Sequence, residues 1–364
     1  MEVIYQQEKE EQPIYQMYQK IFEDPEPFAR YYFDEVYQTN QVLLAKEDQK
    51  ILGMIHLNPY HIRAGKQTYT LNYIVAVAVW KEYRRQGIMA SMLKKCLNDM
   101  HQEGQPFTYL MPADRAYYEP FQFRFVMDWK ESMIDQTKEI DKIHQLSKLR
   151  AEILEAKEEE YDKITQFLEG FMSRYQIYTI PDHKYLKRLS KESQSGDGNL
   201  MTYYEDGQLQ GVFAESFEED EVYIRWAYSF KPESMLDQLK QCYRDKKIYI
   251  TQGNLTDGEK IPKIMARITN LKAWEEILQA KNDFTFRLMI KDPYIKDQDG
   301  VFQFRSLDHK ISIQRIDATE WEDEISIDEL TQVFFDYDAG QILNKHEYLK
   351  DIVPAGPIYI SEEV

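Results

Sequence analysis

Two arginines and a glycine stand between an apolar run and the start of a helical pattern, in the stretch VAVAVWKEYRRQGIMASML that spans Val75 to Leu93. The first residues of a helix present backbone N–H groups without intrahelical partners, and the helix dipole makes that end attractive to phosphate. Gly87 lets the backbone approach a ligand closely, and Arg84 and Arg85 can offset the negative charge of a bound anion. The junction is therefore a candidate pyrophosphate site.

Two common nucleotide-binding patterns are missing at this junction. It has neither the G-x-x-x-x-G-K-[ST] of a P-loop nor the G-x-G-x-x-G of a dinucleotide fold, which argues against ATP and NAD. On this motif alone, an arginine-rich turn that binds nothing is an equally good interpretation.

The elements that position the junction follow from hydrophobic patterns. The apolar run from Tyr69 to Val79 predicts a buried strand, and two shorter runs around Glu47 to Lys50 predict a β-hairpin before it. Pro106 to Pro112 reads as the next strand, and DRAYYEPFQFRF as a short helix that leads into a further strand. A helix after Gly87 is predicted by apolar residues with a period near 3.6, at Ile88, Met92, Leu93, Cys96, Leu97 and Met100.

The predicted hairpin occurs twice. In LMTYYEDGQLQGVFAE, Glu205 and Gly211 stand where Glu47 and Gly53 stood, at an offset of 158 residues, which indicates a duplicated domain. No pair of arginines followed by glycine comes after the second copy's strand, Val222 to Tyr228. The second copy has therefore kept the scaffold and lost the loop.

A charged run from Lys138 to Glu160 separates the two copies and reads as a solvated connecting helix. A third block follows them and reads as α+β. Its apolar residues from Ile264 to Trp274 predict an amphipathic helix, and Asp299 with Gly300 predicts a hairpin turn. Ser326 and Glu329 form a capping-box pattern at a further helix.

Composition limits the partners. The net charge of -18 argues against nucleic acid and suits a cationic small molecule. Cys96 and Cys242 are far apart, which argues against a disulfide framework or a zinc site and fits a reducing cytosol. The N-terminus has no signal-peptide pattern, and no apolar run is long enough to span a membrane. We expect a cytoplasmic protein.

The junction resembles the coenzyme A loop of the GNAT superfamily of N-acetyltransferases, an apolar strand followed by [QR]-x-x-G-x-[GA]. Met89 stands where the pattern has a small residue, and Lys81 stands where a proline is common. Methionine or leucine at the position of Met89 is, however, similar to the enhanced-intracellular-survival (Eis) type of acetyltransferase. The residues that match the loop are Arg84, Arg85, Gln86, Gly87 and Ile88. Three further stretches resemble that type in order, so the resemblance covers essentially the whole chain: AYYEPFQF, IPKIMARITN and ISIDELTQVFF.

The resemblance implies an α+β protein with two GNAT-type mixed-sheet domains in tandem. Residues 1–137 would be the catalytic domain and residues 138–280 a degenerate copy without a working coenzyme site. Residues 281–364 would form a sterol-carrier-like domain whose C-terminal tail reaches the first domain. It also implies a homo-oligomer such as a hexamer.

Acetyl-CoA is the cosubstrate that the resemblance implies, with no metal. Backbone groups of the strand would pair with the pantetheine amides, amides from Arg85 to Ala90 would take the pyrophosphate, and two residues after the next strand would lie near the thioester. The residues so assigned are Val77, Ala78, Val79, Arg84, Arg85, Gln86, Gly87, Ile88, Met89, Ala90, Ala113 and Asp114.

The resemblance also assigns the catalytic groups. Tyr118 stands at the general acid, a phenol that protonates the coenzyme A thiolate, with Tyr117 as the obvious misassignment. The general base is the terminal carboxylate, here that of Val364, and Glu362 and Glu363 are competitors for this role. An unperturbed terminal carboxyl has a pKa near 3.5, so burial or a neighbouring acid is needed to make it effective.

The expected activity is direct acetyl transfer from acetyl-CoA to an amine, on a cationic small molecule or a lysine side chain. The alternatives are a coenzyme A-binding or regulatory protein without turnover, and a carrier of an apolar ligand in the third domain. The aromatic and acidic segment from Phe22 to Tyr37 is either one wall of the acceptor cleft or an ordinary amphipathic helix. We expect neither nucleic acid nor membrane as a partner.

Overall fold

A computed structural model of the protein describes residues 1–7, 10–135 and 151–362. The charged segment predicted as a helix from Lys138 to Glu160 lies mostly outside the described residues. Its described end corrects the prediction, because Ala151–Glu155 is a strand that pairs with a neighbouring strand and a short 3-10 turn follows it.

The first unit of the fold is built from strands with helices between them. In chain order it contains β1 (Glu2–Tyr5), α1 (Glu11–Phe22), α2 (Glu26–Tyr31), β2 (Gln41–Glu47), β3 (Lys50–Ala64), β4 (Gln67–Val79), α3 (Ile88–Gln102), β5 (Phe107–Leu110) and β6 (Arg124–Asp135). The predicted hairpin, strand, helix and strand are all confirmed.

The second unit repeats most of this order. It contains β7 (Ala151–Glu155), α4 (Tyr161–Met172), β8 (Ile177–Thr179), α5 (His183–Ser195), β9 (Leu200–Glu205), β10 (Gln208–Glu218), β11 (Glu221–Ser229), α6 (Pro232–Cys242) and β12 (Lys247–Gly253). The short strand β8 is an addition between its first two helices, and no further strand of this unit follows β12 in the described chain.

The C-terminal unit supplies the remaining elements. They are β13 (Glu259–Ile268), β14 (Gln279–Ala280), β15 (Phe284–Lys291), β16 (Gly300–Leu307), β17 (Lys310–Arg315), β18 (Asp323–Ser326), α7 (Ile327–Phe335), α8 (Gly340–Lys345), β19 (Ile352–Val353) and β20 (Ile358–Tyr359). The capping box at α7 is confirmed, because the Ser326 N–H donates to Glu329 Oε2 at 3.0 Å.

One sheet joins the first two units. Within the described residues it holds 14 strands, twelve of them in the order β1-β2-β3-β4-β5-β13-β6-β12-β11-β10-β9-β7. The C-terminal unit adds a six-stranded sheet of order β18-β15-β16-β17-β14-β19. One strand of the C-terminal unit, β13, belongs to the large sheet, where it lies between β5 and β6. In the described ranges, no helix is long and apolar enough to cross a membrane.

The strand β13 corrects a prediction. The segment from Ile264 to Trp274 was expected to be an amphipathic helix, but its first residues form this strand and only Lys272–Glu276 is helical, as a 3-10 turn. All five residues from Ile264 to Ile268 are buried, because β13 is central in the sheet. A short apolar run buried on both faces has no period by which to tell strand from helix.

The duplication extends to backbone irregularities. The pairing of β3 with β4 shifts register between Met54 and His56, and the pairing of β10 with β11 shifts between Val212 and Ala214, again 158 residues apart. Opposite each shift, a residue other than glycine has a positive φ, Ala76 at 50° and Trp226 at 56°. The two units therefore share a β-bulge as well as most of their element order.

The two units differ in the next pair of strands. β4 and β5 are parallel neighbours but are paired only at Tyr73 and Tyr109, so they diverge beyond this point and form an open fork. β11 and β12 instead remain paired along their length, from Glu221 opposite Lys247 to Ala227 opposite Gly253. The equivalent fork of the second unit is closed.

Gly253 allows this closure, which generates a stability prediction. A Cβ on Gly253 would lie 1.8 Å from the Ala227 carbonyl oxygen, whereas a Cβ on Gly207, in the β9–β10 turn, would meet nothing within 4 Å. Both glycines have positive φ, at 88° and 77°. Gly207→Ala should cost only the backbone strain, about 1–2 kcal/mol. Gly253→Ala should cost a further 1–3 kcal/mol, roughly, through the clash.

Urea denaturation of the two variants beside the unmodified protein measures this difference. Equal losses in the free energy of unfolding would contradict the closed fork.

Candidate active site

The arginine-glycine junction has the local geometry of an anion site. Gly87 is the N-cap of α3 with φ of 79°, and a Cβ there would meet nothing within 4 Å. No side chain caps the helix, and the first intrahelical bond in this turn runs from the Ser91 N–H to the Gly87 carbonyl at 2.9 Å. Arg84 and Arg85 are both exposed beside these amides. The backbone N–H groups at the start of α3 are thus available to a ligand.

The open fork leads away from this junction. Val77, Ala78 and Val79 lie on β4 beyond its single paired position with β5, while Ala78 and Val79 pair with β3 on the other side. Their backbone edge toward β5 is not used by that strand. Ala113 and Asp114 are exposed just after β5, and the Asp114 carboxylate accepts from the Ala116 N–H at 2.9 Å, which starts the next turn.

Tyr118 lies between two 3-10 turns, Arg115–Tyr117 and Glu119–Phe121. Its side chain is only 9% exposed, whereas the neighbouring Tyr117 is 59% exposed. Burial raises the pKa of Tyr118 to about 12, so the phenol is protonated at neutral pH. The Tyr118 phenol is therefore available as a proton donor at neutral pH.

The C-terminal unit holds the turn that carries Tyr118. Arg267 Nε donates to the Phe121 carbonyl at 3.0 Å, and the Tyr294 hydroxyl donates to the Pro120 carbonyl at 2.9 Å. Arg267 is fully buried and is fixed by an ion pair with Asp292 at 2.5 Å. A residue of β13 and a residue of the loop after β15, both distant in sequence from Tyr118, therefore set the position of this turn.

The C-terminal segment lies across both repeated units. β20 pairs with β8, which in turn pairs with β3. The Trp129 indole N–H donates to the Ile360 carbonyl at 3.1 Å, and the hydroxyls of Tyr185 and Ser361 lie 2.8 Å apart. These contacts bring the chain to Glu362, the last described residue. Val364 lies outside the described residues.

Glu362 is buried next to the fork. It is 3% exposed, and burial raises the pKa of its carboxyl to about 7. The hydroxyls of Thr179 and Tyr109 and the positive charge of Arg188 lie close enough to lower that pKa in part. Neither carboxylate oxygen has a hydrogen bond of normal geometry within the described chain. Tyr109 is the β5 residue at which the fork begins, so Glu362 stands beside the point where the strands part.

The fold thus brings together groups that the sequence presented separately. The junction at Gly87, the β4 edge and the segment after β5 all belong to the C-terminal side of the fork. The residues that sequence reasoning missed are Tyr109, Thr179 and Arg188. They carried no signal, because each is an ordinary strand or helix residue that becomes notable only through its buried neighbours.

Residues 2–126 match the family model described as an acetyltransferase (GNAT) domain. No curated protein sequence matches the chain. Solved structures with a similar fold extend over nearly its full length. A conserved protein of unknown function from Enterococcus faecalis V583, titled a probable N-acyltransferase, is 17% identical with a TM-score of 0.77, and the alignment covers 97% of this chain and 93% of that one.

Two further solved structures have a similar fold over nearly the whole chain. The GCN5-related N-acetyltransferase from Anabaena variabilis is 14% identical with a TM-score of 0.75, covering 99% of both chains. Eis1 from Mycobacterium abscessus is 9% identical with a TM-score of 0.68, covering 98% of this chain and 94% of that one. At such identities the likeness shows a shared fold.

The class that the domain and the fold define is an acetyltransferase. Residues 2–126 of the first unit match a GNAT acetyltransferase domain, and the whole chain shares the α+β fold of these structures, with two similar units in tandem.

A matched pair of glycines tests the anion junction. Gly87 and Gly104 lie at opposite ends of α3, both have positive φ, and a Cβ on either would meet nothing within 4 Å. We expect Gly87→Val and Gly104→Val to lose similar stability, because the backbone strain is similar. Only Gly87→Val should weaken acetyl-CoA binding, by about 10-fold or more, because its side chain occupies the space of the pyrophosphate.

Calorimetric titration with acetyl-CoA measures both affinities. Unchanged affinity in a folded Gly87→Val protein would place the pyrophosphate elsewhere.

Proposed function

We propose that the protein is an acetyl-CoA-dependent N-acetyltransferase that transfers the acetyl group directly to an amine. The observation that carries the proposal is the contrast between the two forks. The fork that opens beside an uncapped helix start and an arginine pair lies in the first unit, whereas the second unit pairs its strands fully and begins α6 with a proline.

The cosubstrate would lie along this first fork. Backbone groups of Val77 and Val79 would pair with the pantetheine amides, and amides from Arg85 to Ala90 would hold the pyrophosphate. Ala113 and Asp114 would lie near the thioester. An unpaired strand edge suits an extended chain that carries amides, because the ligand supplies the hydrogen bonds that β5 does not.

The transfer itself requires two proton movements. The amine nitrogen attacks the thioester carbonyl, a carbon–nitrogen bond forms and the carbon–sulfur bond breaks. A base takes one proton from the amine, and Tyr118 donates its phenolic proton to the departing thiolate. Tyr118 enters the reaction protonated, so its phenol can supply this proton.

A carboxylate of the C-terminal segment is the base in this proposal. The resemblance assigns the terminal carboxylate of Val364. Glu362 is the candidate with support from the structure, because it is buried beside Tyr109 and its pKa of about 7 allows it to accept a proton near neutral pH.

The organisation around the first unit also remains a proposal. We propose domains at 1–137, 138–280 and 281–364, with a sterol-carrier-like third domain; the second sheet begins at Gln279, two residues before the last boundary. A carrier role for this domain has less support. Phe334 and Phe335 of α7 pack on Trp274 at ring distances of 5.0 and 5.1 Å, so they fill the core.

The rival function is a protein that binds coenzyme A without turnover. Thiol release from acetyl-CoA, measured across a panel of amines, separates the two. Tight binding of acetyl-CoA with no release for any amine would favour the rival.

Tyr118→Phe tests the general acid. The change keeps the packed ring and removes the hydroxyl, so turnover should fall by about 10²-fold or more while acetyl-CoA affinity stays unchanged. Tyr117→Phe is the matched control, since this neighbouring phenol is exposed and should be dispensable. Steady-state rates and titrations on both variants give the comparison. A large loss in Tyr117→Phe alone would reverse the assignment.

Two changes distinguish the base candidates. If Glu362 is the base, turnover should rise with pH through about 7 as the carboxyl loses its proton. Glu362→Gln should then lower turnover by about 10²-fold or more and remove that rise. If the terminal carboxylate is the base, a few neutral residues added after Val364 should lower turnover instead, and Glu362→Gln should not.

Both variants are assayed across pH 5 to 9, roughly, at saturating acetyl-CoA. Full activity in both would show that neither carboxylate is the base.

A further inference from the structure

Buried polar atoms that make no hydrogen bond of normal geometry are concentrated beside the open fork. Eight of the thirteen such side-chain atoms in the described residues belong to one group: Asn40 Oδ1, His56 Nε2, Asn58 Nδ2, Tyr109 Oη, Thr179 Oγ1, Arg188 Nη1 and both carboxylate oxygens of Glu362. Buried polar atoms are nearly always paired in native proteins, so this concentration requires an explanation.

The group is continuous in space. The Tyr32 hydroxyl contacts His56 Nδ1 at 2.9 Å and Asn58 Oδ1 at 3.2 Å. Aromatic rings continue the layer toward the fork, with Tyr60 and Tyr73 centroids 6.3 Å apart and those of Tyr73 and Tyr109 5.3 Å apart. The layer therefore ends at Tyr73 and Tyr109, the strand positions where the open fork begins.

Arg188 brings a positive charge from the second unit into this layer. It lies on α5 and is 7% exposed. Its guanidinium stacks on the Tyr60 ring at 4.6 Å, and Nη2 donates to Thr39 Oγ1 at 3.4 Å. In the described part of the chain, no carboxylate lies within 4.0 Å of this guanidinium, and the neighbouring Glu192 is paired with Arg225 at 2.6 Å.

Glu362 brings a negative charge to the same place. It lines one cavity together with Arg188, Tyr60 and Tyr185, and the two charged groups are near enough to interact but do not form an ion pair. Two buried opposite charges that do not form a direct ion pair are costly, because neither gains a close opposite charge to offset its loss of water. A ligand with both charges would satisfy both groups.

We propose that the acceptor is a small amino acid-like compound, in which Arg188 binds the carboxylate and Glu362 faces the amine that is acetylated. The proposal rests on the proposed acetyltransferase function and narrows its acceptor. A planar guanidinium with free N–H groups matches a carboxylate better than it matches other small groups.

Size and charge both favour this class of acceptor. The cavity has a volume of about 10 Å³, space for roughly one water molecule. A bound acceptor therefore requires the lining side chains to move apart, and a compact acceptor requires the least movement. A polycation gains from the net charge of -18 during encounter but would place a positive group against Arg188.

Matched acceptors test the proposal on the unmodified protein. The pairs are glycine with glycinamide, γ-aminobutyrate with butylamine, and lysine with cadaverine, with spermidine as a polycation. We expect kcat/KM to be about 10²-fold higher for at least one carboxylate-bearing member than for its partner, because an unfilled buried arginine penalises the analogue without a carboxylate.

Arg188→Met should abolish that preference by lowering kcat/KM much more for the carboxylate-bearing acceptor than for its partner without a carboxylate. Arg63→Met is the matched control, because it removes a positive charge from β3, the strand that carries Tyr60, and should keep the preference. Arg188→Lys keeps the positive charge and should retain a reduced preference. This variant can be compared with the unmodified protein if the methionine variant does not fold.

The possible failures are distinguishable. If no amine is acetylated although acetyl-CoA binds, the acetyltransferase proposal fails. If amines are acetylated but each pair reacts equally, or if Arg188→Met keeps the preference in a folded protein, the acceptor proposal alone is overturned.

Discussion

The separation of β4 from β5 is the constraint on which the site depends. β5 is fully paired with β13 on one side, and β4 is paired with β3 on its other side. The bulge at Ala76 turns β4 just beyond Tyr73, the last position that it shares with β5. Backbone groups left unpaired between two strands are unfavourable unless something else bonds them. An extended ligand with amides of its own would meet that need.

The second unit shows that the bulge alone does not open a fork. Trp226, like Ala76 in the first unit, has a positive φ, yet β11 stays paired with β12 up to Ala227. Gly253, without a Cβ, permits this contact, since a side chain there would meet the Ala227 carbonyl. The same scaffold is therefore open or closed according to how closely its last parallel strand can approach.

Segments distant in sequence complete the site. Arg267 of β13 holds the turn of Tyr118, and the buried pair with Asp292 fixes Arg267 in turn. Removing one partner of such a pair would leave an uncompensated buried charge, so breaking this link is costly. Burial raises the pKa of Tyr118 and of Glu362 alike. The phenol consequently stays protonated at neutral pH, whereas the pKa of the carboxyl is about 7.

Local rules were enough to predict several parts of this protein from its sequence. The turn at Gly87, the helix after it, the repeated hairpin and the capping box at Ser326 each depend on residues close together in the chain. The prediction failed at Ile264–Ile268, where a strand buried on both faces leaves no periodicity.

Only the tertiary structure decided how the remaining groups meet. Nothing near Arg188 or Tyr109 in the sequence marks them, and Glu362 was one carboxylate among several near the C-terminus. They become a site because α5, β5 and the C-terminal segment converge and exclude water. Burial and the absence of a close partner are properties of that convergence, which no local pattern encodes.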